Sequence, residues 1–253
     1  MLAGQKIVVF GGTGLIGNKI VTACYHNNAY VIVAGRDAAN PKFQELCQAN
    51  TAEFPFVEVD TCDPKSVEQV LTATESYPGE LTAVVNCEFP RNSEYGKDFE
   101  TVAFKDFCDN VTLHIGGSFL VCQKSAEYFS LKDGGNIINM SSIYGFLAPR
   151  FQIYAGTDMT KEIEYAICKS AIIQMTRYLA RYLKGRNIRV NCISPGGIID
   201  DQPMSFVENY NEFCLNKGML DAEDIVGAVL FLLSDQSRYI NGQNIVIDDG
   251  FSL

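Results

Sequence analysis

A tyrosine and a lysine stand four residues apart at the start of a segment whose apolar residues recur with a helical period, Tyr165 and Lys169. Residues i and i+4 share one helix face, so the phenol and the ammonium project into the same space. A free phenol has a pKa of roughly 10, and a neighbouring cation lowers that pKa by favouring the phenolate. Most such pairs are solvated helix residues, so the prediction of a general acid/base depends on the rest of the chain.

A serine lies upstream of this pair, directly after the apolar segment 136–140. If that segment is a strand, it delivers Ser142 to the edge of a sheet. The hydroxyl of Ser142 can then hold a substrate oxygen beside the phenol of Tyr165. We therefore predict that Ser142, Tyr165 and Lys169 form one catalytic group.

A glycine-rich turn joins the short apolar segment 6–10 to a helical pattern. Gly12, Gly14 and Gly17 match the G-x-G-x-x-G spacing in the strand–turn–helix context that a dinucleotide site needs. Glycines let the backbone approach a pyrophosphate, which then sits on the helix N-terminus. The alternative is a glycine turn without a ligand. The cofactor-binding residues predicted here are Gly11, Thr13, Gly14, Leu15, Ile16 and Gly17.

The end of the second apolar segment, 29–34, bears on the choice of cofactor. An acidic side chain at this point binds the adenosine 2′-hydroxyl of NAD, whereas an arginine binds the 2′-phosphate of NADP. Gly35 stands where the acidic residue is expected, and Arg36 follows it. The sequence therefore favours NADP(H), while Asp37 keeps NAD(H) open. Arg36 as an ordinary solvated loop residue is the alternative.

Composition excludes several classes of protein. The 253 residues carry a net charge of −10 and no basic run, which argues against nucleic-acid or anionic-membrane partners. We find no apolar run of membrane-spanning length and no signal peptide. The nine cysteines are an odd number and form no Cys-x-x-Cys, which indicates free thiols in the cytoplasm. Two histidines far apart in sequence make a metal site improbable.

Strand patterns alternate with helix patterns along the whole chain. This alternation predicts an α/β fold with a single doubly wound parallel sheet (a Rossmann fold), helices on both faces and one domain over residues 1–253. Ligands of such sheets bind outside the carboxyl ends of the strands. Six polar or turn-forming residues occupy these ends: Gly12, Arg36, Asp60, Asn86, Ser142 and Pro195.

These features together resemble the short-chain dehydrogenase/reductase family, in its compact single-domain branch, over essentially the whole chain. The resemblance is carried by the glycine turn 11–17, Asp60, Asn86, Ser142 with Gly145, Tyr165-x-x-x-Lys169-Ser-Ala, the segment 187–197 (Asn-Ile-Arg-Val-Asn-Cys-Ile-Ser-Pro-Gly-Gly) and Asn241-Gly-Gln-x-Ile-x-Ile-Asp.

The resemblance implies a role for each matching position. Tyr165 is the general acid/base, Ser142 polarises the carbonyl, and Lys169 lowers the pKa of Tyr165 and binds the nicotinamide ribose. Hydride then passes between the nicotinamide and a carbonyl or secondary alcohol of a small molecule. Further cofactor contacts are implied at the adenine (Asp60, Thr61), at the adenosine ribose (Asn86) and at the carboxamide (Pro195, Gly196, Ile198).

The sequence departs from the family at three points. Phe10 stands where the family usually has threonine, and the glycine spacing is nearer that of a larger, sugar-nucleotide-modifying branch. The family's fourth catalytic residue, an asparagine, aligns with His114. This histidine is either a proton relay or a satisfied helix residue, and Asn110 is a weaker substitute.

The interval between Ser142 and Tyr165 is longer than in the family and predicts a substrate loop over about 146–163, with a second, lid-like loop over about 199–220. Tyr154, in the first of these loops, competes with Tyr165 for the catalytic role. It has Asp158, not lysine, four residues on. The loop resembles reductases of flagellin and surface-glycan sugar pathways, which implies a sugar-like substrate. Arg150 and Lys161 are candidates to bind its phosphate.

Two other functions remain open from the sequence. One is a non-catalytic dinucleotide-binding sensor, and the other is a sugar-nucleotide epimerase or dehydratase. The family resemblance further implies a homodimer or homotetramer that associates through the helical segments 101–131 and 165–184.

Overall fold

The computed structural model describes residues 1–253 and contains one seven-stranded sheet in the order β3-β2-β1-β4-β5-β6-β7. Every neighbouring pair of strands is parallel. The chain moves outward from β1 in one direction to β3 and then resumes on the other side with β4, so the order reverses between β1 and β4. The strands are β1 Lys6–Phe10, β2 Tyr30–Gly35, β3 Phe56–Glu58, β4 Leu81–Asn86, β5 Gly135–Met140, β6 Ile188–Pro195 and β7 Asn244–Ile247.

Helices connect the strands and cover both faces of the sheet, as the alternation of patterns predicts. They are α1 Leu15–His26, α2 Pro41–Asn50, α3 Pro64–Ala73, α4 Phe104–Val111, α5 Gly117–Ser130, α6 Ile163–Tyr182, α7 Met204–Asn211 and α8 Val226–Leu233. None of them combines the length and the hydropathy that crossing a membrane requires.

The sheet separates two hydrophobic cores because side chains of a strand point alternately to its two faces. Within β1, Ile7 and Val9 belong to the core under α1 and α8, whereas Val8 and Phe10 belong to the core under α3 and α5. All four are fully buried. Burying such side chains contributes about 1.5–3 kcal/mol each, which holds β1 at the centre of the sheet. The doubly wound prediction is confirmed.

Two helical segments differ from the sequence expectations. The long helix expected over 101–131 begins at Phe104 and is interrupted by a π-helical turn, Thr112–Gly116. The lid-like segment contains a regular helix, α7, which buries Phe206 and Tyr210 in a third, smaller core. Its buried residues are two aromatic side chains one turn apart, a signal too short to establish a period.

Candidate active site

A groove of about 1070 Å³ opens at the carboxyl edge of the sheet, where the strand order reverses. This is the place where ligands of doubly wound folds bind. Twelve of the predicted site residues line it: Gly11, Thr13, Gly14, Leu15, Ile16, Gly17, Arg36, Tyr165, Lys169, Pro195, Gly196 and Ile198.

The glycine turn forms a backbone cradle that side chains would fill. A Cβ on Gly17 would lie 2.1 Å from the carbonyl oxygen of Gly11. Gly11 has a φ of +70°, and its own Cβ would lie 3.0 Å from the backbone of Cys87. Gly14 caps α1 without a side-chain hydrogen bond, and the first turn of α1 has no acidic residue. The open N–H groups at this end suit the phosphates of a dinucleotide, so the turn fits the predicted cofactor.

Helix α6 brings Tyr165 and Lys169 to the opposite wall of the groove. Lys169 is buried, and its ammonium lies 5.5 Å from the centroid of the Tyr165 ring. Burial lowers the pKa of Lys169, and the neighbouring Tyr165 acts in the opposite direction. The phenol is half-buried, so it is open to a ligand on one side. No other tyrosine lines the groove.

The two serines after β5 have different hydrogen bonds. The hydroxyl of Ser141 donates to the backbone carbonyl of Lys169 at 2.8 Å. The hydroxyl oxygen of Ser142 accepts from the amide of Tyr144 at 3.2 Å, and its own O–H has no acceptor in the structure. Ser142 therefore keeps a free donor, whereas the donor of Ser141 is used within the fold. Of the two serines only Ser141 lines the groove, and Ser142 is buried next to it in the chain.

An aromatic residue that the sequence analysis missed lies at the centre of this wall. The ring of Phe89 packs edge-on against Tyr165 and His114, with centroids 5.5 Å and 4.7 Å away. The Lys169 ammonium lies 5.4 Å from its centroid. Phe89 follows the carboxyl end of β4, and that position was the one signal in the sequence that pointed to it.

A second lysine approaches the candidate general acid from the loop before α6. The ammonium of Lys161 lies 4.0 Å from the centroid of the Tyr165 ring. It also forms an ion pair of 3.1 Å with Glu162. The sequence makes Lys161 a candidate phosphate ligand but gives no sign of its contact with the phenol.

His114 occupies the π-helical turn behind the groove and does not line it. Its Nε2 atom is buried without a hydrogen-bond partner. Burial, together with the positive charge of Lys169, lowers the pKa of His114 from 6.5 to about 2. His114 is therefore a neutral imidazole at physiological pH. Asn110, the weaker candidate, donates to Glu164 at 3.5 Å and accepts from the amide of Asn92 at 2.9 Å.

Three predicted cofactor contacts lie beside the groove without lining it. Asp60 is exposed and accepts from the amide of Cys62 at 2.9 Å. Thr61 is buried, and a Cβ on Gly117 would lie 2.9 Å from its hydroxyl. The amide oxygen of buried Asn86 accepts from the backbone of Glu88 at 3.2 Å. These side chains shape the turns after β3 and β4.

The longer interval before α6 folds away from the glycine turn. The hydroxyl of Tyr154 lies 3.3 Å from that of Tyr144, and its ring packs on Phe206. Arg150 donates to the carbonyl of Leu253 at 3.2 Å. Neither Tyr154 nor Arg150 lines the groove. Tyr154 is therefore far less suited to the catalytic role than Tyr165.

A second cavity, of about 530 Å³, contains the amino-terminal residue of β1, Lys6. The ammonium of Lys6 donates to the carbonyls of Thr74 and Tyr77 at 2.6 and 2.7 Å. These bonds tie the start of β1 to the turn after α3, which is a structural role. No cluster of three or more His, Cys, Asp or Glu side chains is arranged to hold a metal ion.

Comparison with known proteins gives matches over nearly the full chain. Residues 15–252 match a family model described as enoyl-(acyl carrier protein) reductase. The chain is 34% identical to post-translational flagellin modification protein A of Campylobacter coli, over 100% of both chains. It is 26% identical to the 7α-hydroxysteroid dehydrogenase of Bacteroides fragilis, over 98% of this chain and 94% of that one.

A solved structure is also similar to this chain over its full length. The short-chain dehydrogenase of Leptospira borgpetersenii, crystallised with bound NAD+, superposes with a TM-score of 0.83 at 30% identity. The match covers 100% of this chain and 94% of that one.

Proposed function

Since this chain belongs to the short-chain dehydrogenase/reductase family, we propose that it transfers a hydride between a nicotinamide dinucleotide and a carbonyl or secondary alcohol. The observation that carries the proposal is the shared groove. Tyr165 and Lys169 lie in one wall, and the glycine cradle forms another. A general acid/base and a phosphate-binding turn thus open to the same space.

The chain's own residues would act on the reacting oxygen. In reduction, the phenol of Tyr165 gives its proton to that oxygen, and in oxidation the phenolate takes it. Ser142 donates its free O–H to the same oxygen and stabilises the charge that develops there. The ammonium of Lys169 stabilises the phenolate. The bound nicotinamide supplies or accepts the hydride.

The cofactor preference we propose is for NADP(H), with NAD(H) as the second cofactor. Arg36 supports it, because it lines the groove just past β2, where the adenosine ribose binds in this fold. Asp37 lines the same part of the groove. The related Leptospira protein holds NAD+, so both dinucleotides belong in the test.

A polar, sugar-like small molecule is the substrate class we propose. Similarity to a flagellin modification protein over the full chain supports it. Lys161, whose ammonium lies beside the phenol and pairs with Glu162, is the candidate ligand for an anionic group such as a phosphate. Arg150 bonds the C-terminal residue, which makes it the weaker phosphate ligand. The loops around 146–163 and 199–220 would border this substrate.

We also propose that the protein is a single-domain homodimer or homotetramer in the cytoplasm. Large apolar side chains are exposed on the helices expected to associate: Phe104, Phe119, Ile167, Tyr178 and Tyr182. All nine cysteines are free thiols, which suits a reducing compartment.

The decisive experiment is a titration of the purified protein with NADPH and NADH, followed by turnover assays on keto-sugars and simple ketones. Binding should quench protein fluorescence and enhance nicotinamide emission. A screen that yields reduction with either cofactor supports the proposal. If neither dinucleotide binds, the proposal is contradicted. Binding without turnover of any carbonyl compound would favour a dinucleotide sensor.

A further inference from the structure

Two residues of opposite charge flank the glycine turn, each two residues past the strand residue that is in register with Phe10. Phe10 of β1 lies in register with Ala34 of β2 on one side and with Asn86 of β4 on the other. Arg36 and Glu88 each stand two residues beyond those partners. Both line the groove together with the glycine turn. The carboxylate thus approaches the adenosine end from β4, although the acidic residue of this fold normally follows β2.

Neither residue forms an ion pair within the fold. None of the ion pairs in the structure includes Arg36 or Glu88. The backbone of Glu88 is fixed by the bond from its amide to Asn86 at 3.2 Å, so its side chain starts from a defined position. The carboxyl is half-buried at the groove wall. Burial raises its pKa, and Arg36 acts in the opposite direction.

We propose that Glu88 determines cofactor specificity by opposing the attraction of Arg36 for the 2′-phosphate of NADP(H). The inference rests on the proposed dinucleotide function. A phosphate that approaches Arg36 also approaches a carboxylate of its own sign, and the partly dry groove screens the repulsion less than water does. The uncharged 2′-hydroxyl of NAD(H) meets no such repulsion and can donate to a carboxylate.

Removal of the charge with little change of shape provides the test. Glu88→Gln should tighten NADP+ binding about tenfold, while NAD+ binding stays the same or weakens, because only the phosphate loses a repulsive neighbour. Dissociation constants for both dinucleotides come from calorimetry at about pH 8, well above the ordinary pKa of a carboxyl group. Glu45→Gln, which removes an exposed charge on α2, is the matched control and should leave the ratio unchanged.

A double-mutant cycle makes the result independent of any single variant. Replacement of Arg36 by Gln should weaken NADP+ binding more in the Glu88→Gln background than in the parent, because Glu88 no longer compensates the guanidinium. Glu88→Ala replaces Glu88→Gln if the latter does not fold by circular dichroism. If both dinucleotides bind the parent and neither Glu88 variant changes their ratio, the inference is overturned while the proposed function stands. If the parent binds neither, both are overturned.

Discussion

The ammonium of Lys169 donates a 3.0 Å hydrogen bond to the backbone carbonyl of Met140, the last residue of β5. The hydroxyl of Ser141 returns a 2.8 Å bond to the carbonyl of Lys169. These reciprocal bonds join α6, which carries Tyr165, to the strand end that carries Ser142. The two candidate catalytic hydroxyls are therefore positioned by one pair of polar contacts.

Lys169→Met should abolish most turnover without unfolding the protein. We expect kcat to fall on the order of 100-fold, because the phenolate loses its buried cation. The free energy of unfolding should change little, since burying an ammonium is itself unfavourable. Steady-state kinetics and urea denaturation measure the two effects. Lys161→Met, at the same ring but less buried, is the comparison and should cost less turnover. Equal losses of kcat in the two variants would contradict a specific role for Lys169 in stabilising the phenolate.

Tyr165→Phe and Tyr154→Phe form a matched pair that separates the two candidate phenols. Tyr165→Phe should retain dinucleotide binding and lose carbonyl reduction by about 1000-fold, because the proton donor is gone. Tyr154→Phe should keep kcat within about threefold, since its hydroxyl contacts only that of Tyr144. Steady-state assays with the reduced cofactor give kcat for both variants. A Tyr165→Phe protein as active as the parent would refute the assigned role.

His114 should make the folded state sensitive to acid. Its pKa is lowered from 6.5 to about 2 in the folded state, so the unfolded chain binds a proton below pH 6.5 that the native protein does not. The stability contributed by the neutral imidazole is fully present above the unfolded pKa and declines as pH falls below it. By about pH 4.5 the parent should lose on the order of 2 kcal/mol relative to His114→Asn.

The measurement is urea denaturation of both proteins at several pH values. The second histidine, His26, is present in both proteins and cancels. The two proteins are compared by the slope of their unfolding free energy against pH and not by its absolute value, because His114→Asn also removes the packing of the ring on Phe89. Parallel curves would mean that His114 takes up its proton in the folded state. The rate of turnover should show no dependence on pH that arises from titration of His114.

Gly17→Ala should damage the glycine cradle directly. The new methyl group would lie 2.1 Å from the carbonyl of Gly11, so the turn or α1 must shift. We expect dinucleotide affinity to fall at least tenfold, with a loss of stability of about 1–3 kcal/mol from overpacking. Gly227→Ala in α8, where a Cβ meets nothing within 4 Å, is the control. That variant should be as stable as the parent or more so, by about 0.5–1 kcal/mol.

The sequence predicted the parts of the site that follow strand ends. Periodicity located the strands, and parallel strands bring their carboxyl ends to one edge, so the glycine turn, Arg36 and Pro195 could be placed together. The contact between Lys161 and Tyr165 and the central position of Phe89 arise from tertiary packing of loops without a period. The placements of Asp60 and Asn86 beside the groove depend on turn hydrogen bonds, which spacing alone does not reveal.

The interrupted helix between α4 and α5 has a consequence for how its surfaces align. An α-helix advances about 100° per residue, so a turn that accommodates one extra residue rotates everything beyond it by that angle. Phe104 and Phe119, both exposed, lie on opposite sides of the interruption. Deletion of a single residue within 112–116 would therefore change the angle between the outer faces that carry Phe104 and Phe119, and with it any surface that the two faces form together.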